Sequence, residues 1–571
     1  FYSYILFMKK IFAFLLGFAV LFSVSCEKNP DEGDIISATY DPSTTTFIIT
    51  YSSGTEKTVP AILDNSVSPP TASATLPDGT ELWVAHAKQG GNVSFTRKET
   101  ANYVNNWIYE NMNIYYLWND KIPKNPDYSR NPHAFFNSIL YKYSASNRDG
   151  DRFSWVQENY VDLLNSLSGV NSDEIGFEYI LFQVDESGTL YAGVLYPKKG
   201  SDAYAKGISR GMFVIQVNGQ DITLQNYQTL FGGTGTKTLR MADYVLNTND
   251  NKYYLKDVGD FTIQMHRQFA ENPVYLDSVY TVGDKKVGYL VYHFFATDKN
   301  DNGHEYDRQL MDALGRIQAK GAKDMVLDLR YNSGGAVTSA IALASALVKD
   351  RSTDKLFGST EYNSLVHEEL LKEEGADYNK EYFIDKIQIN QNSSIPIPAL
   401  NLSRLYVLTK NWTASASELI INGLRPYMDV ILIGETTHGK NVGSITIYEK
   451  QDAKNKWGIQ PIIVKFYNSN GESDYTTGFP PNHEVDEFDA DGDGENEIFL
   501  HDFGDSNDPL LRKALSLIST GIRSATSKPV ISPAFRSAEI DEKATLKTRG
   551  IHRFELYDDT HEEAIRNILK K

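Results

Sequence analysis

Apolar positions along the chain follow three different rhythms. Before residue 95 they come in short runs rich in Thr, Ile, Val and Tyr, such as Thr46-Phe47-Ile48-Ile49-Thr50-Tyr51 and Glu81-Leu82-Trp83-Val84-Ala85. Ser-Ser-Gly and Pro69-Pro70 break these runs, and a further run spans 57–63. Short β-prone runs between turn formers predict a small β-rich module over residues 27–95. Over 98–167 the spacing changes to three and four, through Val104, Trp107, Ile108, Met112, Tyr115, Phe135, Phe136, Ile139 and Leu140. That period predicts a helical cap over 96–168, with the aromatic stripe packed inside it. Strand patterning returns over 169–272, where a short helix, a Gly turn, an apolar strand and an Asn218-Gly219 hairpin follow one another. From 273 to 530 strands at 286–295, 325–329, 404–408 and 430–433 alternate with helices near 306–320, 336–348 and from 417. The alternation predicts an α/β core with a largely parallel sheet, followed by a C-terminal extension over 531–571. The whole is a multidomain α+β chain, and its reactive groups should gather at the carboxyl ends of the parallel strands.

Composition narrows the function. The 571 residues are 41% hydrophobic and 12% aromatic, enough to fill several cores and too apolar for a disordered chain. With 56 basic against 74 acidic residues the net charge is −18, and no basic cluster offers a footprint for nucleic acid. The single cysteine excludes an internal disulfide, a Cys-based zinc site and an iron–sulfur cluster. That cysteine, Cys26, closes a stretch of Met8-Lys9-Lys10, an apolar run over 11–22 and Ser23-Val24-Ser25. Residues 1–26 therefore read as a secretory signal peptide with an upstream extension, too short to span a bilayer. Small residues before a lone cysteine resemble a bacterial lipoprotein signal. The resemblance implies lipidation at Cys26, a lipid-anchored place in the bacterial cell envelope and no membrane contact beyond that anchor; an ordinary signal that ends in Cys is the alternative.

Three segments at strand ends carry candidate chemistry. The first, Met325-Val326-Leu327-Asp328-Leu329-Arg330-Tyr331-Asn332-Ser333-Gly334-Gly335, runs an apolar strand into a turn able to present backbone N–H groups. The second, Tyr406-Val407-Leu408-Thr409-Lys410-Asn411-Trp412-Thr413-Ala414-Ser415-Ala416-Ser417-Glu418, leads small hydroxyl residues into a helix, with Ser415 and Glu418 in capping-box spacing. The third, Val430-Ile431-Leu432-Ile433-Gly434-Glu435-Thr436-Thr437-His438-Gly439-Lys440, delivers a lysine from a strand's loop. Taken singly, these are equally a tight turn, a helix cap and a surface charge.

Together they resemble the C-terminal processing peptidases, or tail-specific proteases, a serine/lysine family with a PDZ domain ahead of its catalytic core. The family's lysine follows its nucleophile by 25 positions in a Gly-Lys pair, and Lys440 follows Ser415 by that interval. The resemblance spans roughly 98–517, including Asn468-Ser469-Asn470-Gly471 and Gly478-Phe479-Pro480-Pro481-Asn482, and it makes the long stretch near 350–400 an insertion, either a lid, a groove wall or a docking surface. It implies a ClpP/crotonase-like α/β core, acyl-enzyme chemistry without a cofactor, and protein or peptide C-termini as substrates. It makes Ser415 the nucleophile, Lys440 the base, and the N–H groups of Ala416, Gly334 and Gly335 the oxyanion donors. It also makes residues 169–272 a PDZ-like domain, with Ile175-Gly176-Phe177 where that domain holds a terminal carboxylate. A lysine acts as base only when neutral, so Lys440 is expected in an apolar pocket beside Ser415.

Other readings stay open. Ser444 stands four residues after the lysine, where the family often has Gln or Glu to orient it. His438 shares a face with Lys440 on an extended chain, which allows a Ser/His pair instead. Asp489, Asp491 and Asp493 with Gly494 resemble the start of a calcium loop, but position twelve is Leu500, so a solvated acidic turn is the alternative. No His-Glu-x-x-His supports a zinc protease. A peptide-binding lipoprotein with weak or no catalysis is the competing function, and a glycan-active surface lipoprotein a third.

Overall fold

The computed structural model describes residues 35–519 apart from 52, 66–70, 77–79, 85–90, 93, 145, 169, 185–187, 300–302, 451–453 and 489–498, together with Leu556, Tyr557, His561 and Ile565. Cys26 and its signal, and Asp489, Asp491 and Asp493, lie outside the described residues. The chain divides into two compact units, residues 1–102 with 129–131, and residues 103–128 with 132–571.

In the first unit two four-stranded antiparallel sheets enclose a core of Phe47, Ile49, Ala72 and Leu82. Burial alternates along Thr46–Tyr51, as expected for a strand with one face inward. The run expected as one strand over 57–63 is instead two, Glu56–Pro60 in one sheet and Ile62–Asp64 in the other. Pro60 brings no N–H to a ladder and so favours ending the first strand there.

Within the second unit, residues expected to be helical up to 167 include Trp155–Gln157, a strand paired with Gly458–Gln460 far along the chain. Residues 177–264 form an antiparallel sheet in the order Phe177–Gln183, Leu190–Pro197, Phe213–Val217, Thr236–Asn247, Lys252–Gln264, with Phe177 as the start of an edge strand. Short helices Asp202–Ala205 and Tyr227–Phe231 pack with its apolar side, which buries Phe177, Leu181, Val194, Val214 and Leu239.

The α/β part holds a sheet in the order Val274–Val282, Lys285–Tyr292, Asp324–Asp328, Arg404–Thr409, Asp429–Gly434, His483–Glu484. The first two strands are antiparallel and all later pairs parallel. Met325, Val326, Leu327, Leu405, Val407 and Leu408 are fully buried, which is why these strands read as unbroken apolar runs. A second sheet runs Gly335–Ala336, Leu556–Tyr557, Val442–Ser444, Ile462–Asn468, Leu356–Tyr362, Lys380–Tyr382. Two of its strands come from the insertion, which is therefore built into the α/β part rather than looped away from it.

A buried ionic cluster joins the antiparallel sheet to the parallel one. Arg330 Nη1 donates to Glu487 Oε1 (3.0 Å) and Asp508 Oδ2 (2.7 Å), and Nη2 donates to Asp328 Oδ2 (2.8 Å). Arg210, from the loop before Phe213–Val217, donates to Glu487 Oε1, the Tyr331 hydroxyl and the Leu195 carbonyl. Lys410 pairs with Glu435 Oε1 (2.7 Å) and Glu487 Oε2 (3.3 Å). Three cations thus meet on Glu487 and hold its carboxyl far below the usual carboxylate range against the opposing effect of burial.

Candidate active site

The strand Asp324–Asp328 ends in a turn organised by Asn332. Its Nδ2 donates to the Tyr292 carbonyl (2.9 Å), its Oδ1 accepts the Gly334 N–H (2.9 Å), and its carbonyl accepts the Ala414 N–H (3.2 Å) and the Ser417 hydroxyl (3.1 Å). One buried side chain and its peptide therefore tie the glycine turn to the serine segment. A Cβ at Gly335, where φ is +137°, would lie 1.8 Å from the Phe295 carbonyl, so nothing larger than glycine fits.

The strand Arg404–Thr409 leads to Ser415, the N-cap of the helix Ala416–Leu424. Ser415 is fully buried, and its backbone (φ 63°, ψ −117°) lies in a region that L-residues rarely enter. Such strain at a serine between strand and helix marks a site whose surroundings over-determine it. Ser415 and Glu418 form a capping box at this helix start. Ala416 is the first helical residue, where N–H groups have no partner within the helix and the helix dipole is positive.

The strand Asp429–Gly434 leads to Lys440, which is also fully buried, with Nζ over the Phe153 ring at 5.0 Å from its centroid. The loop before it is pinned from several sides. Arg152 Nη2 donates to the carbonyls of His438 (3.2 Å), Gly439 (2.8 Å) and Thr476 (3.0 Å). A Cβ at Gly478 would stand 1.9 Å from the Thr437 carbonyl, so the 478–482 turn lies directly on the lysine loop. The His438 N–H donates to the Thr413 carbonyl (2.9 Å), and its ring centroid lies 5.8 Å from that of Phe153.

Glu418 joins the serine helix to the lysine loop. Its Oε2 accepts the N–H of Ser415 (2.9 Å) and the N–H of Lys440 (2.8 Å); its Oε1 accepts the Gly439 N–H (2.7 Å) and the Thr437 hydroxyl (2.6 Å). Burial pushes this carboxyl up to about 7, a larger effect than the lowering by its four donors. The Ser-x-x-Glu spacing was visible in the sequence as a helix cap, but its second and larger partner set comes from 19 to 22 residues downstream. Arg152 and Asn332 carried no signal that sequence reasoning used.

Ser444 is buried in the strand Val442–Ser444, where its Oγ accepts from Gln460 Nε2 (3.1 Å); Gln460 Oε1 in turn accepts from the Thr446 hydroxyl (2.7 Å). Ser415, Ala416, Lys440 and the Gly334-Gly335 turn are thus connected by direct hydrogen bonds or by Asn332 and Glu418. The Gly334 N–H is spent on Asn332 Oδ1, which leaves the Gly335 and Ala416 amides as the pair to consider for an oxyanion. Ile175, Gly176 and Phe177 lie in the antiparallel-sheet region instead. Ile175 and Phe177 are core residues there, and the Gly176 N–H donates to Glu174 Oε1 (2.8 Å). Among the described residues no cluster of three His, Cys, Asp or Glu side chains could hold a metal ion, and no helix is long and apolar enough to cross a membrane.

Comparison with known proteins finds relatives in one family of peptidases. Residues 286–485 match the model of Peptidase family S41, and residues 103–155 match that of the Peptidase S41 N-terminal domain. The carboxy-terminal processing protease CtpA of Bacillus subtilis (strain 168) is 26% identical over 328 residues, 56% of this chain and 59% of that protein. The carboxyl-terminal-processing protease of Picosynechococcus sp. is 26% identical over 277 residues, 48% of this chain and 55% of its own. The chain therefore spans little more than half the length of these relatives. A crystal structure of a Bacteroides fragilis NCTC 9343 protein, named as an S41 protease, is 29% identical, with a TM-score of 0.58 over 73% of this chain and 98% of that one.

Proposed function

We propose, from the premise that the chain belongs to peptidase family S41, the C-terminal processing proteases, that it is a serine endopeptidase acting through Ser415 and Lys440. The observation that carries the reading is Glu418 Oε2, which accepts the backbone N–H of both residues. In this reading the neutral Lys440 amine takes the Ser415 Oγ proton as Oγ bonds to the scissile carbonyl carbon. The carbonyl oxygen becomes an oxyanion facing the Ala416 and Gly335 N–H groups. Collapse breaks the C–N bond, and the leaving amine receives the proton from Lys440. Water, deprotonated by the same amine, then releases the acyl chain and regenerates Ser415. Full burial of Lys440 favours the neutral amine by excluding water, against the attraction of the Phe153 ring face for an ammonium. Ser444, held by Gln460, is the orienting hydroxyl in place of a longer amide side chain.

The antiparallel-sheet region serves in this proposal as a PDZ-like capture domain for protein tails, its edge strand Phe177–Gln183 receiving the peptide as an added strand. Lipidation at Cys26 would tether the enzyme to the envelope with its substrates. Ser415→Ala and Lys440→Ala are each expected to lower hydrolysis of an unfolded, tailed protein by at least ~1,000-fold, with unchanged circular dichroism. Parental turnover by either variant overturns the dyad. The second reading, peptide binding without turnover, is favoured by the Gly334 N–H being already engaged. It predicts no labelling of Ser415 by a serine-directed phosphonate.

A further inference from the structure

Near the end of the chain, Leu556–Tyr557 forms a short strand between Gly335–Ala336 and Val442–Ser444. Leu556 pairs with Gly335, and Tyr557 pairs with both Ala336 and Ser444, parallel on each side. One flank is the glycine turn that Asn332 ties to the serine segment. The other begins two residues after Lys440. An extended segment in such a slot is recognised by main-chain hydrogen bonds, which accept many sequences. Beyond the slot, His561 lies beside the insertion. His561 Nδ1 lies 2.8 Å from Glu374 Oε2, at the end of the helix Ser364–Glu374, and Nε2 lies 3.7 Å from Glu381 Oε1. Four residues on, Ile565 is fully buried.

We infer that the slot between Gly335–Ala336 and Val442–Ser444 is a binding site for an extended peptide, and that Leu556–Tyr557 occupies it in cis as a tethered competitor of substrate. The inference rests on the Ser415/Lys440 reading for its kinetic consequence. A two-residue ladder is weak alone, but a tether raises its effective concentration to the millimolar range, so a substrate must displace it. The insertion, whose length had no assigned purpose, then acts as the dock that sets resting activity. Glu374 and Glu381 are not among the residues assigned to the dyad, so this clasp can be loosened without altering the catalytic residues.

The test uses the full chain with Leu556→Pro and Tyr557→Pro, which removes both N–H donors from the ladder. It is expected to raise kcat/KM on an unfolded protein substrate about tenfold, through a lower KM at unchanged kcat. A synthetic peptide of residues 551–565 at ~1 mM should inhibit this variant competitively and inhibit the parent less. If the prolines disturb folding, Glu374→Gln tests the clasp alone and should give a smaller rise in the same direction. Equal kcat/KM in parent and variants, with no inhibition by the peptide, overturns the proposal. Absence of both hydrolysis and phosphonate labelling in every form would instead sink the serine/lysine reading. Binding of the fluorescein-labelled peptide to the double-proline variant then decides the slot: saturable binding weaker to the parent supports it, and none overturns it.

Discussion

Glu418 and Glu487 are both fully buried, and their carboxyls are shifted in opposite directions. Glu487 faces Arg210, Arg330 and Lys410, whose attraction outweighs the cost of removing it from water and keeps it ionised. Glu418 accepts three backbone N–H groups and one hydroxyl, and burial dominates, so its carboxyl rises to about 7. A buried carboxylate ringed by cations is a brace, insensitive to pH over the physiological range. One held by neutral donors sits near its own midpoint at neutral pH, where perturbed groups gather at functional sites. The two buried lysines differ in their surroundings. Lys410 is kept charged, above its ordinary value, by Glu487 and Glu435 against burial, whereas Lys440 lies over an aromatic ring, with the nearby Glu418 oxygens turned to its backbone rather than its ammonium.

The comparison breaks most visibly at the brace. Glu487→Leu leaves Arg210, Arg330 and Lys410 short of a shared carboxylate, and is expected to cost about 3–5 kcal/mol in urea unfolding. An unchanged midpoint would show the cluster to be idle. The next effect is the pH dependence contributed by Glu418. Its folded value is raised from 4.5 to about 7, so its share of stability is fully present below about 4.5 and is lost as pH rises through about 7. The shift corresponds to about 3 kcal/mol. Glu418→Gln should therefore lose more stability relative to the parent at pH 5 than at pH 8. A difference that does not change with pH would mean Glu418 is ionised throughout. Glu487 works with the opposite sign, its contribution being lost only as pH falls below the usual carboxylate range. Smallest is His438→Ala, expected to change kcat less than about twofold if Lys440 is the base. A fall of the size seen when a triad histidine is removed, ~1,000-fold or more, would transfer that role to the imidazole.

What could be read from the sequence was local. Apolar runs at 325–329, 404–408 and 430–433 marked parallel strands because both their faces are buried, and the resemblance, through the 25-residue interval, pointed to Ser415 and Lys440, two buried residues that Glu418 joins by their backbone N–H groups. What could not be read depends on partners far apart in the chain. Arg210 meets Glu487 across 277 residues, and nothing near either position encodes the encounter. Trp155-Val156-Gln157 lies in a helical rhythm, yet pairs with Gly458–Gln460 because a distant edge was open to it. The engagement of the Gly334 N–H by Asn332, two residues away, was local but conformational, since an Asn before Gly-Gly is compatible with several turns. The tail strand at Leu556–Tyr557 is the extreme case: two residues whose only regular structure is borrowed from strands more than a hundred residues earlier.

Glu418 grips main-chain amides at 415 and 440 rather than the hydroxyl or the amine. The mounting is therefore indifferent to its cargo. A cysteine at 415 or a shorter amine at 440 would inherit the same seat, so drift between hydrolase, altered nucleophile and mere peptide receptor could proceed by single side-chain exchanges on a scaffold that does not register the change.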